Sequence, residues 1–265
     1  MNAPKLTDLR PEYEELFNTC VITKPVPVQE VVDAILENKT RYDAVSETST
    51  VPWYVIAVIH NMECSLSFKE HLHNGDPLNK KTVNVPAGRP PGWDGTGTWE
   101  ESALDALQYD NLTSWTDWTI AGICYKLEGY NGWGYRAHGI HTPYLWSFTN
   151  QYTSGKYVAD GVWSEAAVSA QCGCAAVLRR LAEMGQVTFE DQPAIKPDMP
   201  PAVRYSTTLP TDPAEVTSAK TLQQWLSNFS GVFLAVDGIA GDKTSAAFKL
   251  VTGHYLAGDP RANNQ

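Results

Sequence analysis

The chain has 265 residues, 43% hydrophobic and 19% charged, enough apolar content to bury one large core or a large and a small one. That balance excludes a disordered or fibrous chain. A formal net charge of −10, with no run rich in Lys and Arg, argues against recognition of a phosphate backbone, so no nucleic-acid partner is expected.

The N-terminal stretch MNAPKLTDLRPEYEELF has no basic segment followed by an apolar one, and no run of about 18 apolar residues occurs in the chain. Neither an export signal nor membrane insertion is therefore expected. Leu16, Val28, Val31, Val32, Ile35 and Leu36 recur at intervals of three and four, predicting helix over residues 12–40. In TSTVPWYVIAVIHNMECSLSF the residues Trp53, Val55, Ile56, Val58 and Ile59 make a segment apolar on nearly every side, the pattern of a helix at the centre of a domain. Ser49 or Thr50 is its expected cap, Pro52 fits its first turn, and Glu63 stands at its end.

From Asn74 to Gly97 the composition turns to Gly, Pro, Asn and Thr around TVNV, predicting a hairpin or irregular lobe with turns at NGDP and DGTG. Thr98 and Glu101 have the spacing of a capping box, with a helix through Leu104, Leu107 and Tyr109 behind it. WTDWTIAGICYKLEGY reads as another buried helix, and SEAAVSAQCGCAAVLRRLAEMG as a long one stopped by Gly185. Six prolines between Pro193 and Pro213 mark residues 187–213 as a semi-rigid linker. Beyond it, two short helical patterns flank VDGIAGDKTSAAF. Gly238 and Gly241 there suit positive backbone angles, Asp237 can bond local amides, and Asp242 or Thr244 can cap the next helix.

The five cysteines, Cys20, Cys64, Cys124, Cys172 and Cys174, form neither a disulfide framework nor a four-thiol zinc site, and are expected as reduced, buried thiols. His60 and Cys64 at helical spacing, with His71 and His73 nearby, raise a zinc amidase or peptidase as an alternative. No HExxH or comparable ligand set accompanies them, so no metal and no other cofactor is expected.

Glu63 is the candidate for chemistry. A carboxylic acid at the end of an apolar helix is kept protonated near neutral pH, which is what a general acid requires. VPWYVIAVIHNMECSLSF resembles the catalytic helix of goose-type lysozymes and lytic transglycosylases, in which a Glu is followed by Ser and an aromatic; here these are Glu63, Ser65 and Phe68, with Cys64 directly after the Glu where the family has Ser. Tyr130-Asn131-Gly132 in LEGYNGWGYR resembles the Y-N-G element lining the glycan cleft of those enzymes. TLQQWLSNFSGVFLAVDGIAGDKTSAAFKLVTG resembles the peptidoglycan-binding domain attached to many wall hydrolases, through Leu222, Gln223, Leu226, Val236-Asp237-Gly238-Ile239, Gly241, Lys243-Thr244 and Ala247-Phe248.

These resemblances imply a mainly α protein: a lysozyme-like glycan-cleaving domain at 1–186 with a small β-hairpin lobe, and a small three-helix wall-binding domain at 214–265. They imply cleavage of the β-1,4 bond between N-acetylmuramic acid and N-acetylglucosamine by a monomer bound to peptidoglycan glycan strands. Glu63 would be the acid and Asp76 the assisting base, with Asp94 next in line. Tyr130, Asn131, Tyr135, Tyr144, Tyr152 and Asp94 are the expected substrate-binding residues, with Trp133, Trp146 and Tyr157 as further stacking candidates. The setting implied is a phage or prophage endolysin, cytoplasmic until a holin releases it to the wall. Alternatives are a lytic transglycosylase on the same bond, a chitinase or chitosanase, and a non-catalytic wall-binding protein. For the C-terminal segment alone, a helical packing or dimerisation domain is the alternative.

Overall fold

The computed structural model describes residues 3–159, 161–190, 203–229 and 231–264. The chain is mainly helical, with one two-stranded antiparallel sheet among the described residues. The helix expected over 12–40 is two helices and the start of a third: α1 (Leu6–Asn18), α2 (Pro25–Glu37) and α3 (Lys39–Ser49). Pro25 explains the first break, because Lys24 before it is pushed out of helical geometry at φ −126° and ψ 74° while the proline suits the first turn of α2. The intervening strand-like segment pairs Ile22 with Thr149, and Thr23 N–H donates to the Phe148 carbonyl at 2.9 Å.

α4 (Trp53–Cys64) is the central helix. Val55, Ile56, Ala57, Val58 and Ile59 are fully buried on all sides of it, and each of the larger side chains contributes about 1.5–3 kcal/mol of burial. α3 and α8 (Cys174–Glu183) pack against it. The expected caps are displaced: Pro52 occupies the N-cap itself, Thr50 closes α3 in the left-handed region, and Ser49 Oγ accepts from Val51 N–H at 3.2 Å.

α5 (Trp99–Tyr109) starts at the Thr98–Glu101 capping box, both reciprocal bonds being present. α6 (Ile120–Asn131) packs on α1, and a short α7 (Pro143–Trp146) lies between α6 and α8. The lobe at residues 74–97 contains no strand; it is an irregular loop in which Thr82 N–H donates to the Arg89 carbonyl at 2.8 Å. The hairpin lies elsewhere, as β1 (Lys156–Ala159) and β2 (Val162–Ser164), in the Gly/Tyr/Trp-rich stretch. The long helix expected from Ser164 begins only at Cys174, because Gly173 serves as its N-cap; a side chain at Gly173 would lie 2.4 Å from the Leu145 carbonyl.

Residues 191–202, the middle of the expected linker, lie outside the described residues. At its two ends the chain is packed rather than linking: Val187 and Phe189 join the first core, and Val203 and Tyr205 lie against a second one built around Leu222, Leu226, Leu234 and Phe248. The second unit contains α9 (Pro213–Leu226), α10 (Asp242–Thr252) and a 3-10 turn at Pro260–Asn264. Gly238 has the expected positive φ of +83°, and Asp237 accepts from Ile239 N–H at 2.8 Å and from Gln223 Nε2 at 2.7 Å. Gly241 does not need a positive angle: its φ is −84° and it is the N-cap of α10, with no side-chain cap from Asp242 or Thr244. The two units touch through Phe233, whose ring meets Phe17 and Phe189 edge-on at 6.1 and 5.8 Å, and through Lys243 Nζ, which donates to the Glu183 carbonyl at 3.1 Å.

Candidate active site

Glu63 is the penultimate residue of α4, where the helix dipole disfavours a negative charge. Its carboxyl is half-buried, and burial pushes its pKa from 4.5 up to about 7. The Tyr144 hydroxyl donates to Glu63 Oε1 at 2.9 Å and pulls the other way, while the nearby charge of Asp110 adds to the rise. Directly after Cys64 the backbone turns through two left-handed residues, Ser65 at φ +48° and Leu66 at +63°. A bulky residue there is strained, and such strain concentrates where a fold holds working side chains. Cys64, which stands where the resembled family has Ser, donates its thiol to the His71 carbonyl at 3.2 Å.

Neighbouring segments clamp this helix end. Asn61 Nδ2 donates to the Cys172 carbonyl at 2.9 Å and Gln171 Nε2 to the Met62 carbonyl at 3.0 Å. Gly75, at φ +74°, lies so near that a Cβ would stand 2.7 Å from the Glu63 carbonyl oxygen. Gly75→Ala is therefore expected to push the Asn74–Asp76 turn off α4 and to lower stability by about 1–3 kcal/mol, read by chemical denaturation.

Four aromatic and acidic groups converge. Tyr144 is buried and stacks with Tyr130 at 6.5 Å and 25° between planes; Tyr130 donates to the Leu72 carbonyl at 3.2 Å and borders Asp110. Burial raises the Asp110 pKa, against the pull of Tyr130 and Lys126. Asn131 Nδ2 donates to Thr142 Oγ1 at 3.1 Å, and Thr142 Oγ1 accepts from Tyr144 N–H at 3.3 Å, so Asn131 steadies the turn that carries Tyr144. Next to Tyr144 opens a cavity of about 330 Å³ whose walls include Met62, Asn131, Tyr135, Lys156, Tyr157 and Gln171. Tyr135 and Tyr157 meet edge-on there at 5.4 Å.

Other expected site residues are elsewhere or occupied. Asp76 is buried, and its two oxygens take four donors: Asn74 Nδ2 at 3.1 Å, Val83 N–H at 2.8 Å, Asn84 N–H at 2.9 Å and Asn84 Nδ2 at 2.7 Å. Burial opposes ionisation, but those bonds outweigh it and hold its carboxyl below the usual carboxylate range. Three of those donors converge on Oδ2 and one, the Asn84 amide, on Oδ1, so Asp76 braces its loop and is tied to it through both oxygens. Asp94 is exposed and its Oδ1 accepts from Thr96 N–H and Oγ1 at 2.9 and 2.7 Å, an Asx-type turn. Tyr152 is buried with its hydroxyl between Gly155, to whose carbonyl it donates at 3.2 Å, and Ser169 N–H, a brace for the segment behind the cavity. Trp146 is buried core.

No protein-family model, curated protein or solved structure matched this chain.

The histidines read as candidate ligands are engaged within the fold. His71 Nε2 donates to the Lys80 carbonyl at 2.7 Å and its Nδ1 accepts from Ser102 Oγ at 2.6 Å; His73 Nε2 pairs with Asp105 at 2.9 Å; His60 Nδ1 meets Tyr42 Oη at 3.0 Å. All five cysteines are buried, unpaired thiols. Among the described residues no three His, Cys, Asp or Glu side chains are grouped to hold a metal ion, and no helix is long and apolar enough to cross a membrane.

Two residues of this region escaped the sequence reading, Asp110 and Lys156. Asp110 carried a hint, because it caps the C-terminal end of α5, where a carboxylate opposes the helix dipole and gains nothing locally. Lys156 carried none: only the folding of β1 beside the Tyr135 turn brings it to the cavity.

Proposed function

We propose that this protein cleaves the β-1,4 glycan strand of peptidoglycan, with Glu63 as the general acid. The observation that carries the reading is a carboxyl pushed up to about 7 and held at 2.9 Å by Tyr144, which itself lines an open cavity with tyrosine walls. A protonated Glu63 delivers its proton to the glycosidic oxygen as the bond to the leaving sugar breaks, and the remaining sugar develops oxocarbenium character. Tyr144 holds the carboxyl in place and accommodates its charge after the proton leaves. The C-terminal unit, by its resemblance to wall-binding modules, keeps the enzyme on its polymer.

The oxocarbenium-like sugar is then captured in one of two ways. Attack by water needs a second carboxylate, and Asp110 is the acid whose charge Glu63 feels. Internal capture by the muramyl acetamide, followed by attack of the same sugar's C6 hydroxyl at C1 with its proton passing to the Glu63 carboxylate, needs none, and the loop-bracing bonds of Asp76 and the turn role of Asp94 favour this transglycosylase route as a second reading. Mass spectrometry of muropeptides released from purified wall separates them: an anhydro product, lighter by one water, establishes transglycosylation, and a reducing end establishes hydrolysis. Release of no fragment at all would refute both.

The neighbours of Glu63 set the pH at which its proton is available. Tyr144→Phe removes a bond that stabilises the carboxylate, so the alkaline limb of the pH–rate profile is expected to move up. Asp110→Asn removes a repelling charge, so the limb is expected to move down, each by less than about one unit. Wall clearance measured from pH 5 to 9 reads both, and shifts of the same sign would contradict the assignment of the acid.

A further inference from the structure

The cavity beside Tyr144 is lined by one cation and no acid: Lys156 borders it, and no Asp or Glu does. That is unusual for a chain with a net charge of −10, and it sets Lys156 apart from several cations packed on this core. Arg89 forks onto Asp105, Arg136 is tied to Glu128 and Glu12, Arg41 to Glu100 and Lys39 to Asp43. Among the described residues the Lys156 side chain has no acidic partner and no hydrogen bond, although it is half-buried. A half-buried cation without a counter-charge loses hydration and recovers nothing until an anion arrives. Around it the cavity supplies neutral hydrogen-bonding groups from Asn131, Ser169 and Gln171, and ring surfaces from Tyr135 and Tyr157. Amides and ring faces suit an N-acetylated sugar, whereas an ammonium selects a carboxylate attached to it.

We propose that Lys156 is a specificity residue that selects glycan carrying a carboxylate, such as the lactyl group of muramic acid or an acid on its peptide stem, over neutral N-acetylglucosamine polymer. This rests on the glycan-cleaving reading of Glu63 and adds to it the choice between wall and chitin. Lys156 acts on binding: the cavity is continuous with Tyr144, which holds Glu63, so an anchored carboxylate fixes the register of the strand against the acid.

The test is binding, measured by titration calorimetry on the full chain carrying Glu63→Gln so that no ligand is cleaved. The probes are a stem-free muramyl oligosaccharide with its lactyl carboxylate free, a stem-bearing muramyl glycopeptide whose lactyl group is amidated, and a chitin oligomer of equal length. At least one charged probe is expected to bind about tenfold more tightly than chitin at low salt, and the arm that does so tells whether the lactyl or the stem carboxylate is recognised. Adding Lys156→Met is expected to erase the preference and Lys156→Arg to keep it. Equal binding of charged and neutral probes, or a preference that survives Lys156→Met, would overturn the proposal. The cleavage reading fails separately, if the parent chain leaves purified wall intact.

Discussion

Glu63→Gln is expected to slow clearance of outer-membrane-stripped cells by about 10³-fold, within the range that a positioned general acid supplies. The parent rate should be flat below pH 7 and fall about tenfold per unit above it, because only the protonated carboxyl is active and its pKa stands at about 7. The same substitution carries a second, opposite signature. A group whose folded pKa is raised contributes stability that is complete below its unfolded value and is lost as the pH climbs through the folded one. For Glu63 that window runs from 4.5 to about 7, and above it the parent bears the cost of burying a carboxylate. Gln bears none, so Glu63→Gln is expected to be more stable than the parent at pH 8 by about 1–3 kcal/mol, and equal to it near pH 4. A structural carboxylate would do the reverse. An inactive variant that is also less stable at pH 8 would place Glu63 in the scaffold and remove the acid from the mechanism.

The largest expected loss of stability comes from Arg179. It is buried in α8, donating from Nη1 to the carbonyls of Phe17 and Asn18 at the end of α1 at 3.2 and 3.4 Å, and from Nη2 to the Leu234 carbonyl of the second unit at 3.3 Å. Its Nε pairs with Glu183 at 3.2 Å, and its guanidinium stands 5.5 Å from the Phe233 ring. One side chain thus satisfies carbonyls that the end of α1 leaves open, and joins the two cores. Arg179→Met is expected to cost about 3–5 kcal/mol, because it strands buried carbonyls and removes a partner of Glu183. Urea denaturation followed by tryptophan fluorescence measures this. Lys243→Met, at the rim of the same contact, should cost less than about 1 kcal/mol. Comparable losses for the two variants would mean that the buried guanidinium is not what binds the units together.

Much of this architecture can be read from spacing and composition. α4 announces itself by an apolar face on every side, the Thr98–Glu101 box marks the start of α5, and Gly238 the turn before α10. Each depends on residues within a turn or two of each other, so the local pattern contains the whole cause. The misplaced elements depended on distant partners. TVNV has the alternation of a strand but faces no second strand, and the amides of Val83 and Asn84 are taken by the Asp76 carboxylate instead. Residues 164–173 have helix-forming composition, yet Gly173 is pressed against the Leu145 carbonyl and the helix starts only beyond it.

The candidate site divides along the same line. Glu63 could be singled out from sequence because what perturbs it is largely its own helix: an apolar stretch that buries the carboxyl and an axis that ends there. Which groups surround it was decided by tertiary packing alone. Asp76 and Asp110 are both acids next to turns, and nothing in their immediate sequence says that one is tied into its loop by four donors while the other lies within electrostatic reach of Glu63. Burial and helix direction are properties of a segment and show in its pattern; the meeting of a carboxylate, a tyrosine and a lysine from separate segments is a property of how those segments pack.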